Sequence, residues 1–370
     1  MGLSGINKGK NTIKKIFIFI IACISLAGCP VPPDDNVGTG ALTYSGIYAN
    51  VNIDFARSVA ISPDGNHVYV AASEADAVAW FTRNPDGSLS YEGRYSNSNI
   101  DGARFVAISS DGDDVYVAAE NADAVAWFDR NTSTGELTYG GRISSADIDG
   151  ARTVTVAPDG HHVYVAALGS DAVAWFTRNG DGSLTYVSRY SDPNIDGASC
   201  VIVSPDNMNV YVGASFADAV AWFSRNTATG ALTYGGSYSD TNLVTAEAIT
   251  MSPDGNHMYV VAAGSDAVVW FTRNGDGSLT YGNCYTDANI NTAMSVAVAP
   301  DGNHVYVAAM FENAVAWFRR NKSSGALTYI DRYVNANIEY ACSVVVSPDN
   351  NQVYTAAANV DAVAWFDRDK

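Results

Sequence analysis

The sequence has few cysteines and few histidines. Only Cys200, Cys284 and Cys342 follow the first forty residues, and their spacing fits neither a metal site nor a disulfide framework. We therefore expect three small buried thiols. The histidines recur in one turn of a repeat, which leaves no Ser-His-Asp or paired-histidine site, so we predict no metal and no cofactor. We interpret these five as polar residues of an exposed turn: His67, His161, His162, His257 and His304.

Basic residues are also scarce. The chain has 21 lysines and arginines against 39 aspartates and glutamates, a net charge of −18. An acidic surface repels phosphate backbones and anionic lipid headgroups, so we predict no nucleic-acid partner. Cations, neutral glycans and basic proteins stay open as partners.

No long hydrophobic run is present. The apolar segment 16–26 follows four lysines and is too short to cross a bilayer, which is typical of a signal peptide. Its end, Leu26-Ala-Gly-Cys29, resembles the lipobox of bacterial lipoproteins. We predict a signal peptide at 1–28, lipidation of Cys29, and a tether at 29–40. The protein would then sit in the cell envelope, on the periplasmic face of the outer membrane or the cell surface. The alternative is an ordinary signal peptide with a chance cysteine.

The rest of the chain repeats one stretch seven times. The tryptophan of this stretch falls at 80, 127, 175, 222, 270, 317 and 365, in steps of 47 or 48 residues. A fixed period of this length indicates a repeat architecture. The steps alternate between 47 and 48 residues because the loop before the last strand of each repeat is one residue longer in every second copy.

Each repeat predicts four short strands. In the first copy these are 58–62, 67–72, 77–82 and 89–93, separated by turns such as Pro63-Asp-Gly-Asn66. The second and third strands are apolar on both faces, and a four-stranded sheet sandwiched between copies of itself is a propeller blade. The chain ends after a third strand, 362–367, and begins with a lone fourth strand, 41–44. We predict an all-β, seven-bladed β-propeller over 41–370, closed by pairing of these two strands.

The stretch from Ser62 to Ala72, with the motif Thr-Gly-Ala-Leu-Thr-Tyr, resembles the YVTN/lactonase-like seven-bladed propellers. The resemblance covers about residues 41–370. It implies the propeller fold and, for the enzymes of the family, a lactonase activity (a carboxylic ester hydrolase). The matching residues are turn and core residues of every blade, so the resemblance places no catalytic motif on numbered positions.

The variable residues of the repeats lie at the segments leading into each first strand and in the loops between strands two and three. Since the first strand is innermost in a propeller, those segments surround the mouth of the central channel. Arg57, Arg104 and Arg152 would line three consecutive blades there, with Glu247 facing them. Converging guanidinium groups bind carboxylates and other anions. In the alternative, each arginine pairs with the aspartate of its own blade, namely Asp54, Asp101 or Asp149.

Three functions follow from this sequence. The first is an extracytoplasmic, lipid-anchored protein that binds a protein, or a small anionic or sugar ligand, or acts as a scaffold through its variable face. The second is a lactonase-type hydrolase with its site at the channel mouth. In it the arginines polarise the lactone carbonyl or hold its carboxylate, and Glu247 or a channel aspartate orients water. The third is a structural component of a surface layer.

Overall fold

The computed structural model describes residues 37–370, which form seven four-stranded antiparallel sheets arranged as the blades of a ring. The predicted seven-bladed β-propeller is confirmed. The predictions for the signal peptide, for Cys29 and for most of the tether lie outside the described residues. Within residues 37–370, no helix is long and apolar enough to cross a membrane.

The strands are numbered in chain order, and each blade is described from the channel outward. The innermost strands are β2 (Ala56–Ile61), β6 (Ala103–Ile108), β10 (Ala151–Val156), β14 (Ala198–Val203), β18 (Ala246–Met251), β22 (Ala293–Val298) and β26 (Ala341–Val346). The second strands are β3 (His67–Ala72), β7 (Asp114–Ala119), β11 (His162–Ala167), β15 (Asn209–Ala214), β19 (His257–Ala262), β23 (His304–Ala309) and β27 (Gln352–Ala357).

The third strands are β4 (Ala77–Arg83), β8 (Ala124–Arg130), β12 (Ala172–Arg178), β16 (Ala219–Arg225), β20 (Ala267–Arg273), β24 (Ala314–Arg320) and β28 (Ala362–Arg368). The outermost strands are β5 (Leu89–Ser96), β9 (Leu137–Ser144), β13 (Leu184–Ser191), β17 (Leu232–Ser239), β21 (Leu279–Thr286), β25 (Leu327–Val334) and β1 (Leu42–Ala49). Short 3₁₀ turns lie at Val51–Ile53, Ser98–Ile100, Ala146–Ile148, Pro193–Ile195, Thr241–Leu243, Ala288–Ile290, Ala336–Ile338 and Ala358–Val360.

The core lies between the blades. All six residues of each second strand are buried, because both faces of the sheet are covered by neighbouring blades. Trp80 packs towards the second blade, whereas the adjacent Phe81 packs towards the seventh. Burying each such side chain contributes roughly 1.5–3 kcal/mol. The stability of a blade therefore depends on its neighbours.

The ring closes as predicted. Strand β1 pairs antiparallel with β28, from Leu42 opposite Arg368 to Ala49 opposite Ala362. The main chain of Gly40 extends the pairing, since its N–H donates to the carbonyl oxygen of Asp369 at 2.9 Å. The last blade is thereby completed by the start of the described chain.

The histidine prediction was wrong for four of the five residues. Only His161 lies exposed in its turn, whereas His67, His162, His257 and His304 begin second strands and are buried. An arginine from the next blade explains their burial, because Arg130 Nη2 lies 2.8 Å from His67 Nδ1, and the other three make the same contact. Burial and the adjacent arginine lower the pKa of each ring, which favours neutral imidazoles that accept a hydrogen bond.

One face of the ring holds both variable segments, as predicted. The loop between strands two and three returns to the turn before strand one, where the Ser73 N–H donates to the Phe55 carbonyl at 3.2 Å. The Ala75 N–H donates to the Asp54 carbonyl at 3.3 Å. We call this side of the ring the variable face.

Candidate functional site

Every innermost strand carries a β-bulge at its second residue. In the first blade Ala56 pairs with Ala72 and Ser58 pairs with Ala71, so Arg57 has no partner in the ladder. The register shifts at the same place in the other six blades. A bulge turns the extra residue away from the regular alternation. The seven bulged residues, which we call the mouth ring, are Arg57, Arg104, Arg152, Ser199, Glu247, Met294 and Cys342.

The mouth ring lines a pocket of about 100 Å³ that holds all four predicted site residues. The three arginines occupy consecutive blades on one side, and Ser199, Glu247, Met294 and Cys342 complete the circle. A second cavity, about 310 Å³, lies along the inner strands and is lined mainly by valine and alanine. Charged groups are therefore concentrated at the mouth of the channel.

Arg104 is held by a loop that the sequence interpretation did not connect with it. Its Nη1 donates to Glu120 Oε2 at 3.0 Å, and Glu120 belongs to the loop between strands two and three of the same blade. Burial and the nearby charges of Arg152 and Arg57 lower the pKa of Arg104 to about 10. The guanidinium is still protonated at neutral pH, and all three arginines line the same pocket.

Arg152 and Glu247 form an ion pair across the mouth. The distance from Arg152 Nη2 is 3.3 Å to Glu247 Oε2 and 3.5 Å to Oε1. Both side chains are largely buried, with 14 % and 9 % of their surfaces exposed. The third and fifth blades thus place a cation and a carboxylate in contact inside the pocket.

Arg57 differs from the other two arginines. Within residues 37–370 it makes no ion pair and no side-chain hydrogen bond to a carboxylate, unlike Arg104 and Arg152. The buried Nε atoms of Arg57 and Arg152 both lack a partner. The Arg57 guanidinium carbon instead lies over the ring of Phe55, 4.3 Å from the ring centroid. The pocket therefore contains one guanidinium whose charge no protein carboxylate neutralises.

The alternative pairing, with each arginine bound to the aspartate of its own blade, does not occur among the described residues. These aspartates face a second aspartate of the preceding blade instead. The neighbour Asp361 adds to burial in raising the pKa of Asp54, and Asp123 raises the pKa of Asp149. Asp76 likewise interacts with Asp101. None of the three arginines is therefore paired with the aspartate of its own blade, and all three line the pocket.

An aspartate, or Asn313 in the sixth blade, follows each loop between strands two and three and accepts a hydrogen bond from the backbone. Asp76 Oδ1 accepts from the Gly102 N–H at 2.9 Å, and Asp361 Oδ1 accepts from the Phe55 N–H at 3.0 Å. Each of these side chains thus holds the turn that leads into the innermost strand of the next blade. The geometry of the mouth ring depends on these contacts between blades.

Two of the three cysteines in residues 37–370 line the pocket. Cys200 and Cys342 are buried as predicted, whereas the prediction was wrong for Cys284, which is half-buried on an outermost strand. Burial raises the pKa of Cys200 to about 12 and also raises the pKa of Cys342. Both groups are neutral thiols at neutral pH, and the thiolate is the nucleophilic form. They shape the wall of the pocket rather than act as nucleophiles.

Sequence interpretation missed Glu120, Phe55 and the uncharged half of the mouth ring. An alignment of the seven repeats contains the signal for the last of these, because Ser199, Met294 and Cys342 occupy the column of the arginines. No comparable signal pairs Glu120 with Arg104, since the two residues are joined only when the loop folds back over the mouth.

The sequence matches the family described as Lactonase, 7-bladed beta-propeller, over residues 41–147, 150–283 and 280–370. These segments cover most of the chain. The chain belongs to this lactonase propeller family. No curated protein sequence matches it.

This lactonase-family propeller is also similar to solved structures. The periplasmic gluconolactonase of Pseudomonas aeruginosa aligns with a TM-score of 0.67 and 18 % identity, covering 76 % of this chain and 86 % of that one. A Bacteroides fragilis protein provisionally named a 6-phosphogluconolactonase gives 0.67 and 19 %, over 78 % and 85 %. Hydrazine synthase of Kuenenia stuttgartiensis gives 0.69 and 16 %, over 88 % and 99 %. These likenesses show the shared fold alone, and the three names differ in activity.

Proposed function

We propose that this propeller binds a small ligand carrying a carboxylate or a similar anionic group at the mouth ring. The observation that carries the proposal is Arg57, whose guanidinium lies over the Phe55 ring and has no carboxylate of residues 37–370 beside it. Arg104 and Arg152 each have one, so the site has an excess of one positive charge. A planar guanidinium can bind a carboxylate through two parallel hydrogen bonds, and partial burial strengthens them.

The shape of the pocket limits the ligand. A volume of about 100 Å³, lined by Ser199, Met294 and Cys342 as well as the arginines, suits a compact molecule or the acidic end of a larger one. Sugar acids and their lactones combine an anionic or carbonyl group with hydroxyls that can donate hydrogen bonds to the Glu247 carboxylate. The printed name of the Pseudomonas aeruginosa structure makes gluconate and its lactone the first compounds to test.

The experiment is calorimetric titration of D-gluconate, with D-glucose as the neutral comparison, into the protein and its Arg57→Met variant. We expect gluconate to bind and Arg57→Met to weaken binding by about tenfold to a hundredfold, the range for charge-assisted hydrogen bonds. The control is Arg94→Met on β5, which removes an exposed arginine far out on the first blade. Equal affinity of the Arg57→Met variant and the wild-type protein for D-gluconate would contradict the proposal.

Hydrolysis of a lactone is the second candidate function. Membership of the family favours it, and so does Glu247, a carboxylate in the same pocket as the arginines. In this reaction the oxygen of a water molecule bonds to the lactone carbonyl carbon while Glu247 accepts its proton. The arginines stabilise the oxyanion. The ring C–O bond then breaks and the proton passes to the ring oxygen, which gives the hydroxy acid.

A pH-stat assay with D-glucono-1,5-lactone separates hydrolysis from binding. We expect Glu247→Gln to lower kcat by roughly a hundredfold or more, in line with the loss of a general base. The variant should still bind gluconate, since it keeps all three arginines. Turnover no faster than the uncatalysed reaction, in a protein that binds gluconate, would leave binding as the function.

We further propose that the protein is exported and lipid-anchored through Cys29, as the lipobox-like sequence 26–29 indicates. A Cys29→Ser variant should fail to incorporate labelled fatty acid and should leave the membrane fraction. Unchanged membrane association would contradict the anchor. Scaffolding by the variable face and a surface-layer role stay predictions, and they become the leading ones if no acid or lactone binds.

A further inference from the structure

The turn leading into each innermost strand contains one residue with a left-handed backbone. In blades two, three and four this residue is glycine, with φ between 64° and 67°. The other four blades hold side chains at nearly the same φ, between 56° and 59°. These residues are Phe55, Thr245, Thr292 and Tyr340.

A phenylalanine is an unusual residue at this position. Side chains with a Cβ rarely adopt positive φ, and bulky ones are genuine outliers there. Blades two, three and four show that glycine builds the same turn. The hydrophobic core between blades seven and one, as the described residues form it, does not include Phe55. Core packing therefore does not explain the residue, and such outliers concentrate at functional sites.

The contact that Phe55 does make is with the mouth ring. Its ring lies under the Arg57 guanidinium at 4.3 Å, a distance at which a cation is attracted to an aromatic face. The corresponding Tyr340 of the seventh blade packs its ring against Phe311, 5.7 Å away. The two aromatic residues thus share a backbone conformation and differ in what they touch.

The nature of this contact affects what Arg57 can bind. Glu120 and Glu247 hold their arginines through the N–H groups, which are then occupied. An aromatic ring holds a guanidinium through its face, and the N–H donors lie in the plane of the group. A ring can therefore fix the position of Arg57 and leave its donors available for a ligand.

We propose that Phe55 is a positioning residue of the mouth site, which holds Arg57 in place without neutralising it. The inference rests on the proposed binding function, since it explains how the unpaired guanidinium is kept ready for an anion. It adds a residue outside the pocket lining to the determinants of affinity.

The test compares Phe55→Leu with Tyr340→Leu, two matched losses of an aromatic ring at a left-handed residue. Gluconate affinity, measured by calorimetry, should fall about five- to thirtyfold in Phe55→Leu, the range for a partly desolvated cation–π contact. It should stay within about twofold of wild type in Tyr340→Leu, and Phe55→Tyr should retain affinity. If Phe55→Leu does not fold, Phe55→Gly replaces it, because glycine adopts this turn in three other blades.

A ligand-free signal distinguishes this inference from the proposed function. The Arg57 Nε–H resonance, assigned by its loss in Arg57→Lys, should be shifted upfield by the ring in wild type and in Tyr340→Leu. It should move downfield in Phe55→Leu. An unchanged resonance, or gluconate affinity in Phe55→Leu equal to wild type, overturns the role of Phe55. Absence of binding by wild type, with the resonance behaving as expected, overturns the proposed function and leaves Phe55 as the residue that fixes Arg57.

Discussion

Single residues explain why the blades come in two kinds. A buried histidine faces the longer loop of the next blade at Gly135, Gly230 and Gly325, and His304 faces Gly40 just before β1 in the seventh blade. At each of these glycines an added Cβ would collide with the imidazole. The shorter loop is faced by Asp114, Asn209 or Gln352 instead. In both cases an arginine at the end of the next blade's third strand reaches the same side chain. The alternation of 47- and 48-residue steps in the sequence therefore reflects two kinds of contact between neighbouring blades.

The tyrosine at the centre of each second strand is the first residue to test. The Tyr69 hydroxyl donates to the Gly135 carbonyl at 2.9 Å and accepts from Arg130 Nε at 2.7 Å. Tyr69→Phe should lower the free energy of unfolding by about 1–3 kcal/mol, because both buried partners lose a hydrogen bond. Urea denaturation measures it. Tyr95→Phe is the control, since that hydroxyl contacts only the half-exposed Asn99 amide and should matter less; equal effects would contradict the argument.

The buried histidines predict how stability depends on pH. Burial, with the charge of Arg368, lowers the pKa of His304 to about 4, whereas an unfolded histidine titrates near 6.5. The unfolded chain therefore binds more protons in this range. The contribution of neutral His304 is fully present above pH 6.5 and is lost as pH falls towards 4.

His304→Gln tests this dependence, because Gln352 occupies the equivalent position of the seventh blade and accepts from Arg83. The free energy of unfolding should fall less steeply between pH 6.5 and 4 in the variant than in wild type. Urea midpoints at several pH values give the slopes. Identical slopes would show that His304 titrates normally in the folded protein.

At the scale of elements, the outermost strands join neighbouring blades through stacked tyrosines. Six of the seven junctions between described blades hold such a pair, for example Tyr95 and Tyr139, with ring centroids 5.1 Å apart and planes within 4°. The junction between blades two and three is the exception. There Ile143 takes the place of one tyrosine, and Tyr186 is 38 % exposed.

Ile143→Tyr should complete this ladder of aromatic pairs. We expect the free energy of unfolding to rise by about 0.5–1.5 kcal/mol, the usual contribution of an aromatic pair. The gain should vanish in the Ile143→Tyr/Tyr186→Leu double variant, relative to Tyr186→Leu alone, when both are measured by urea denaturation. A gain that persists without Tyr186 would mean that the new ring packs elsewhere.

The strands and turns of each blade were predicted from the sequence, whereas the bulges and some side-chain contacts were not. Turn residues such as Pro63, and strands that are apolar on both faces, predicted the blades because turns and buried strands each require particular residue types. The bulge that turns Arg57 into the pocket cannot be read from the sequence of β2. It is a shift in how β2 pairs with β3, and the pattern of polar and apolar residues along β2 alone does not show that shift.

The position of the four predicted site residues followed from repeat geometry, and so did the Arg152–Glu247 contact between two inner strands. The Arg104–Glu120 pair did not, because it depends on a loop folding back over the mouth.

Residues 38–370 form a closed ring whose last blade needs both ends of this part of the chain. Each blade buries its faces against two neighbours, so an incomplete seventh blade affects the junctions with blades six and one. Strand β1 covers the outer edge of β28 along seven paired residues. Without it, the N–H and C=O groups of β28 would be unpaired at an exposed sheet edge, which favours association with other chains.

Two truncated chains test this dependence. A chain beginning at Val37 should unfold cooperatively as a monomer, because it keeps β1 and the contact between Gly40 and Asp369. A chain beginning at Asn50 lacks β1, so we expect it to melt at lower temperature and to associate through the edge of β28. Size-exclusion chromatography and thermal melting followed by circular dichroism distinguish the two. A synthetic peptide of residues 38–49 should restore the monomer and raise the melting temperature of the shorter chain. If the peptide has no effect, or if the shorter chain is as stable as the longer one, pairing of β1 with β28 does not hold the ring closed.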